Sequence, residues 1–170
     1  MTSIKVETEY GYTLLSGVTL VMTYMLHARF VVVRQKIKSY PPEFMDQFKE
    51  QHEAVLPSKV GDIGNPDSGN GLYSKKLSYK DWLLVNNAHR SHKFFLEWMP
   101  VVLLFIVIGG LQFPIGTAVA GFLFTFGRIL CTIGLVHIKI KVKQAGDIIW
   151  EIALLGLFVL NILSIVYIYL

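Results

Sequence analysis

Arg90 and Glu97 stand seven residues apart in a stretch that reads as one helix, with His89, His92 and Lys93 beside them. Seven residues are two helical turns, so the guanidinium and the carboxylate share a face. Both sit at the edge of a strongly apolar tract, where an ionised group costs roughly 2.5–3.5 kcal/mol at the helix centre and therefore needs a partner or a purpose. Arg29, Arg128 and Glu151 raise the same question. Taken residue by residue, Arg90 and Lys93 read as basic flanks of a membrane helix. Arg128 then snorkels toward the surface along its long stem, and Glu97 neutralises a cation between helices. The histidines do not extend this into a metal site. His89 and His92 are three apart, but no third ligand follows at helical spacing and no cysteine or carboxylate completes a zinc pattern. No nucleophile elbow, phosphate loop or His-Glu-x-x-His motif is present. The one cysteine, Cys131, lies in a helical stretch and cannot form an internal disulfide.

The elements that must carry these residues are helices long enough to cross a bilayer, which takes about 20 mainly apolar residues each. Tyr10 to Ala28 is free of Asp, Glu, Lys and Arg, and so is Trp98 to Gly127, which is too long for one upright span. The longer run is broken by Gly109-Gly110 and Phe113-Pro114, a turn between two helices. Ala153 to Leu170 ends the chain without a charge. Spans are therefore expected at about 10–33, 81–108, 114–136 and 148–170, giving an all-α, integral membrane four-helix bundle as a single domain. Residues 41–80 form an insertion: an amphipathic segment with Phe44, Phe48, Val55 and Leu56 at helical spacing, then a flexible loop rich in glycine, asparagine and proline from Gly61 to Gly71.

Composition agrees with a membrane protein. Hydrophobic residues make up 53% of the 170 and charged residues only 16%, against about 25% in soluble domains, which excludes a soluble enzyme, a disulfide scaffold and a disordered chain. The mean hydropathy is +0.49. Basic residues gather between spans one and two and between spans three and four, so those loops are expected on the cytoplasmic or equivalent side and both termini across the membrane. The basic pI of 9.1 is thus a topology signal. Acidic residues interleave with the basic ones, and no nucleic-acid partner is expected. The N-terminus, Met1 to Glu9, lacks the basic region of a cleaved leader, and span one is expected to stay as a signal anchor.

The order of motifs resembles a known family. Asn87-Ala88-His89-Arg90-Ser91-His92-Lys93-Phe94-Phe95-Leu96-Glu97-Trp98-Met99-Pro100, followed by an apolar helix, Gly109-Gly110 and Phe113-Pro114, is similar to the signature of the membrane-associated proteins in eicosanoid and glutathione metabolism, the MAPEG family. Glu9 to Gly17 and Gly127-Arg128-Ile129-Leu130 resemble its third type of microsomal glutathione transferase. The resemblance implies a four-helix protomer in a homotrimer, with glutathione between neighbouring protomers near the cytosolic surface. An arginine beside the glutathione thiol raises the thiolate fraction, and a lipophilic electrophile arrives from the lipid. Carried over by position, Arg34, Arg90, His92 and Glu97 are the residues implied to bind glutathione. Lys141 and Lys143 are the nearest stand-ins for the thiolate-stabilising arginine of the third loop, although lysine lacks the fork geometry of arginine. Three other positions differ from the family pattern. Phe94 stands where an asparagine is found, and Cys131 and Leu135 stand where tyrosines are found.

Two functions follow from the resemblance. One is a glutathione transferase or peroxidase for lipophilic electrophiles or lipid hydroperoxides, a homotrimer using glutathione and no metal. The other is a non-catalytic relative that binds lipid, or an accessory subunit among unlike chains of a larger membrane complex, for example a respiratory one. The lost polar contacts and the inserted docking surface favour the second, since each hydrogen bond to a charged group contributes about 1.5–3 kcal/mol. Membrane lipids are the partner common to both. The endoplasmic reticulum is the family default location, with the mitochondrial inner membrane as the alternative.

Overall fold

The structure is a computed structural model, and it describes residues 8–169. The expected leader-free N-terminus up to Glu7, with its lone Lys5, and the final residue of span four, Leu170, lie outside the described residues. All described elements are helical, and four helical stretches are long and apolar enough to cross a membrane: Tyr10–Ser39, Tyr79–Gly110, Pro114–Val136 and Ile140–Ile168. The protein is an all-α integral membrane protein. The first stretch comprises α1 (Tyr10–His27), a π-helical segment (Ala28–Val33) and α2 (Arg34–Ser39). Two short helices, α3 (Pro42–Met45) and α4 (Lys49–Glu53), follow in the insertion, and then come α5 (Tyr79–Gly110), α6 (Pro114–Val136) and α7 (Ile140–Tyr169). The chain divides into two compact units, residues 1–25 with 94–170, and residues 26–93.

The first unit is a four-helix bundle. Leu20, Phe95, Val102, Ile106, Ala120, Phe124, Ala153 and Leu157 form its core. Leu14, Leu15, Val18, Leu104, Phe122, Leu155 and many like them are exposed, as expected of side chains solvated by hydrocarbon. Polar side chains inside the bundle close onto backbone carbonyls: Thr13 Oγ1 donates to Pro114 O at 2.9 Å and Ser164 Oγ to Gly109 O at 3.1 Å. Proline at the first position starts α6 without wasting a donor. α6 and α7 approach backbone to backbone through Gly127 and Gly146, where an added methyl group would lie 2.6 Å from Trp150 N and 2.6 Å from Cys131 N respectively. Ile138, in the turn between them, has φ +54, a conformation that a β-branched residue rarely adopts.

The inserted stretch lies in the second unit. Tyr40, Met45, Phe48 and Val85 form a buried cluster, with Phe44, Val60, Tyr73 and Leu77 against it. Beside it Asp67, itself buried, organises the glycine- and asparagine-rich stretch. Its Oδ1 accepts from Gly69 N (2.8 Å), Gly71 N (2.9 Å) and Ser74 Oγ (2.6 Å), and its Oδ2 accepts from Ser74 N (2.7 Å). Burial opposes the charge on Asp67, but the bonds from Ser74, Gly71 and Gly69 outweigh it and hold the carboxyl below the usual carboxylate range. Tyr40 is held above its ordinary value by burial, with the Ser74 bond (2.7 Å) acting the other way. Gly64 has φ +64 and lies flat on the Tyr40 ring, where a side chain would clash at 2.6 Å. Lys36, buried on α2, donates to Asn65 Oδ1 and to the Asp67 carbonyl, both at 2.7 Å. On α5, Asn86 Nδ2 donates to Gly69 O at 2.9 Å. At the start of α5, Ser78 Oγ receives Asp81 N–H at 3.2 Å and donates to the Asp81 carboxylate at 2.6 Å, a reciprocal cap.

Candidate functional site

Within the first unit, Arg128 on α6 is the most constrained ionisable side chain. Only 3% of it is exposed, so it does not snorkel. Its guanidinium carbon lies 5.2 Å from the Phe94 ring centre, 5.3 Å from Phe95 and 5.5 Å from Trp150, a three-sided aromatic cage built from α5 and α7. Each ring face attracts the cation, and desolvation strengthens the attraction to about 2 kcal/mol or more for a buried pair. This is why arginine stays inside: the rings replace water. Nε has no hydrogen-bond partner among the described residues, and the charges of Asp147 and Glu97 act on the guanidinium.

One turn further along α6, Cys131 packs against the first turns of α7. Its thiol is directed at Asp147 Oδ1 (3.2 Å), which also accepts from Trp150 Nε1 (3.3 Å), while Lys143 Nζ forms an ion pair with Asp147 Oδ2. The thiol thus occupies the expected tyrosine position and serves an internal carboxylate. Lys143 and Asp147 are four residues apart, a helical spacing that the sequence displays openly. Asp147 was not among the expected site residues, although that spacing was the signal for it. Lys141, in the same first turn of α7, is exposed.

In the second unit, Arg34 opens α2 and is exposed, and Arg90 is exposed on α5. His92 is half-buried and stacks on His27, ring centres 5.5 Å apart and planes at 16°. His27 Nε2 meets Ser91 Oγ at 3.0 Å, and Ser91 also donates to Ala88 O at 2.8 Å. His92 is therefore part of a histidine and serine cluster that spacing along α5 alone could not reveal, because His27 comes from the first helix. Glu97, in the first unit, is exposed. Among the described residues no group of His, Cys, Asp and Glu could hold a metal ion.

The MAPEG family profile matches residues 12–165, nearly the whole chain. The chain belongs to the MAPEG family. No curated protein and no solved structure matches it. MAPEG membership accounts for the four apolar helices, and it brings the membrane glutathione-transferase and eicosanoid type of fold. MAPEG proteins commonly use glutathione, and the membrane-embedded helices put this one in contact with lipid.

Proposed function

We propose that this MAPEG protein descends from the third type of microsomal glutathione transferase and has lost that chemistry, serving instead as a non-catalytic membrane component, either lipid-binding or an accessory subunit among unlike chains. The observation that carries the reading is the commitment of Lys143 and Arg128 to internal partners. Raising the thiolate fraction of glutathione requires an uncompensated positive charge beside the sulfur. Lys143 already neutralises Asp147, and Phe94, in place of the family's asparagine, is one wall of the Arg128 cage instead of an amide that binds a ligand. Lys141 stays exposed without the planar fork that grips a carboxylate or thiolate.

A second reading has its own support. Arg34 and Arg90 in the second unit and Glu97 in the first are each exposed, as residues that meet a polar ligand must be. On that reading the protein is a homotrimeric transferase or peroxidase, with His92 orienting the ligand and Lys141 or Lys143 assisting the thiolate.

Calorimetric titration of the detergent-solubilised protein with reduced glutathione separates the two. The proposal expects no saturable heat at millimolar glutathione. Saturable binding that is lost in both Arg90→Ala and Glu97→Ala would overturn it and restore the enzyme. The mass of the particle extracted in mild detergent tests the partner: unlike chains for an accessory subunit, three copies for an enzyme. Imaging of the tagged protein decides between endoplasmic reticulum and mitochondrial inner membrane.

A further inference from the structure

Glu151 has no counter-ion among the described residues, and it lines a groove of about 410 Å³ between α5 and α7. The rest of the lining is apolar, with Trp98 and Trp150 at one end and Phe105 and Phe158 at the other. From Trp98 to Phe105 the groove spans seven residues of α5, about 10 Å. The two indoles are tilted against one another, ring centres 5.8 Å apart and planes at 47°. Their level along the helices is set by sequence. Trp98 follows Glu97, the last charge before the run to Gly127, and Trp150 precedes Glu151, the last charge before the chain end. Indoles and carboxylates therefore sit where head groups meet hydrocarbon, and the phenyl end lies deeper.

We infer that this groove holds one membrane phospholipid with a quaternary ammonium head group, the ammonium between Trp98, Trp150 and Glu151 and the upper acyl chain along Val101, Phe105, Leu154 and Phe158. The chemistry selects the head group twice. An indole face attracts a cation best among aromatic rings, and quaternary ammonium groups, which cannot donate hydrogen bonds, are recognised by such faces. A carboxylate left without a partner at the edge of the bilayer supplies the opposite charge and repels phosphatidylglycerol and other anionic heads. Arg128 takes Phe94, Phe95 and Trp150 as the walls of its own cage, and Trp98 is not one of them. The site is independent of whether glutathione binds.

The test uses the full chain carrying Trp82→Phe, which leaves Trp98 and Trp150 as its two indoles. It is titrated in mixed micelles of a non-ionic detergent with phosphatidylcholine brominated near the top of the acyl chain, a contact quencher of indole fluorescence. The same brominated chains on phosphatidylglycerol are the control. Saturable quenching by the choline lipid at a mole fraction roughly tenfold below that of the glycerol lipid is expected, and Glu151→Gln should erase the difference between the two. Val101→Phe fills the groove and should abolish saturable quenching while helical circular dichroism is unchanged. Equal quenching by both lipids, or a preference that survives Glu151→Gln, would overturn the inference. Absence of quenching by either lipid in a particle whose mass is several copies would overturn it too, by assigning the groove to a second copy of the chain.

Discussion

Asp67 accepts four hydrogen bonds, three of them buried, and replacing it isolates what those bonds do. Asp67→Ala leaves the amides of Gly69, Gly71 and Ser74 and the Ser74 hydroxyl without their acceptor. An orphaned buried donor costs about 1–3 kcal/mol, so the segment from Gly64 to Leu77 should lose about 3–5 kcal/mol, water recovering part of the total. Asp67→Asn is milder. It keeps an oxygen for the three Oδ1 donors and turns an NH₂ toward Ser74 N–H, so the loss is one charged bond, about 2 kcal/mol. The assay is amide hydrogen exchange of the full chain in detergent. A loss of 2 kcal/mol multiplies the open population about 30-fold, which should appear first at Ser74 in Asp67→Asn, while Asp67→Ala should leave the whole segment unprotected. Exchange in α6 and α7 should not change. The pH dependence has a fixed sign: because the folded-state carboxyl lies below 3.8, its contribution is fully present above that value and is lost as pH falls through the lower folded-state value. The segment should stay closed at pH 5 and open on stronger acidification. Unaltered protection in Asp67→Ala would refute the view that this carboxylate orders the insertion.

Other substitutions probe the bundle. Gly146→Ala forces a methyl group to within 2.7 Å of the Gly127 carbonyl and 2.8 Å of Cys131 Sγ, so α6 and α7 must part. A loss of about 1–3 kcal/mol is expected, with maleimide labelling of the otherwise buried Cys131 thiol as the readout. Arg128→Lys keeps the charge but loses the flat guanidinium that lies against three rings. Thermal unfolding followed by indole fluorescence should show a loss of about 1–2 kcal/mol. Ile138→Gly relieves a left-handed backbone and should raise stability by about 1 kcal/mol in the same measurement.

The membrane architecture was legible because charge-free runs have one economical interpretation: Trp98 to Gly127 is too long for one span, and Gly109-Gly110 with Pro114 marks where it turns. Helix ends were less so. Hydropathy reports where hydrocarbon stops, whereas helical hydrogen bonds continue through the polar residues of α2 to Ser39 and begin at Ile140, well before the apolar run of α7. The order of motifs around Arg90 and Glu97 carried the family, since it depends on sequence alone. The surroundings of Arg128 did not follow from sequence, because its cage needs rings from α5 and α7, more than 20 positions away on either side. Asp67 was equally hidden. Its partners are backbone amides two, four and seven residues on, which leave no periodicity, and a stretch of glycine and asparagine looks the same whether it is solvated or wrapped around a carboxylate.

The insertion between α2 and α5 has a clasp and a free tip. Lys36 on one helix and Asn86 on the other grip the stretch from Asn65 to Gly69 at its base, while residues 54–59 are exposed beyond α4. A segment fastened at its root pays its ordering cost once, there, and lengthening the tip adds little because closure entropy grows only slowly with length. Selection therefore has two unequal territories within forty residues. Around Gly64, Asp67 and Ser74 each position is tied to another. Between Ala54 and Lys59 the side chains are exposed and the ties are light and local, such as Ser58 Oγ to His52 Nε2 at 3.2 Å, so this is where the chain best tolerates a change of length and where a tag or epitope can be spliced in.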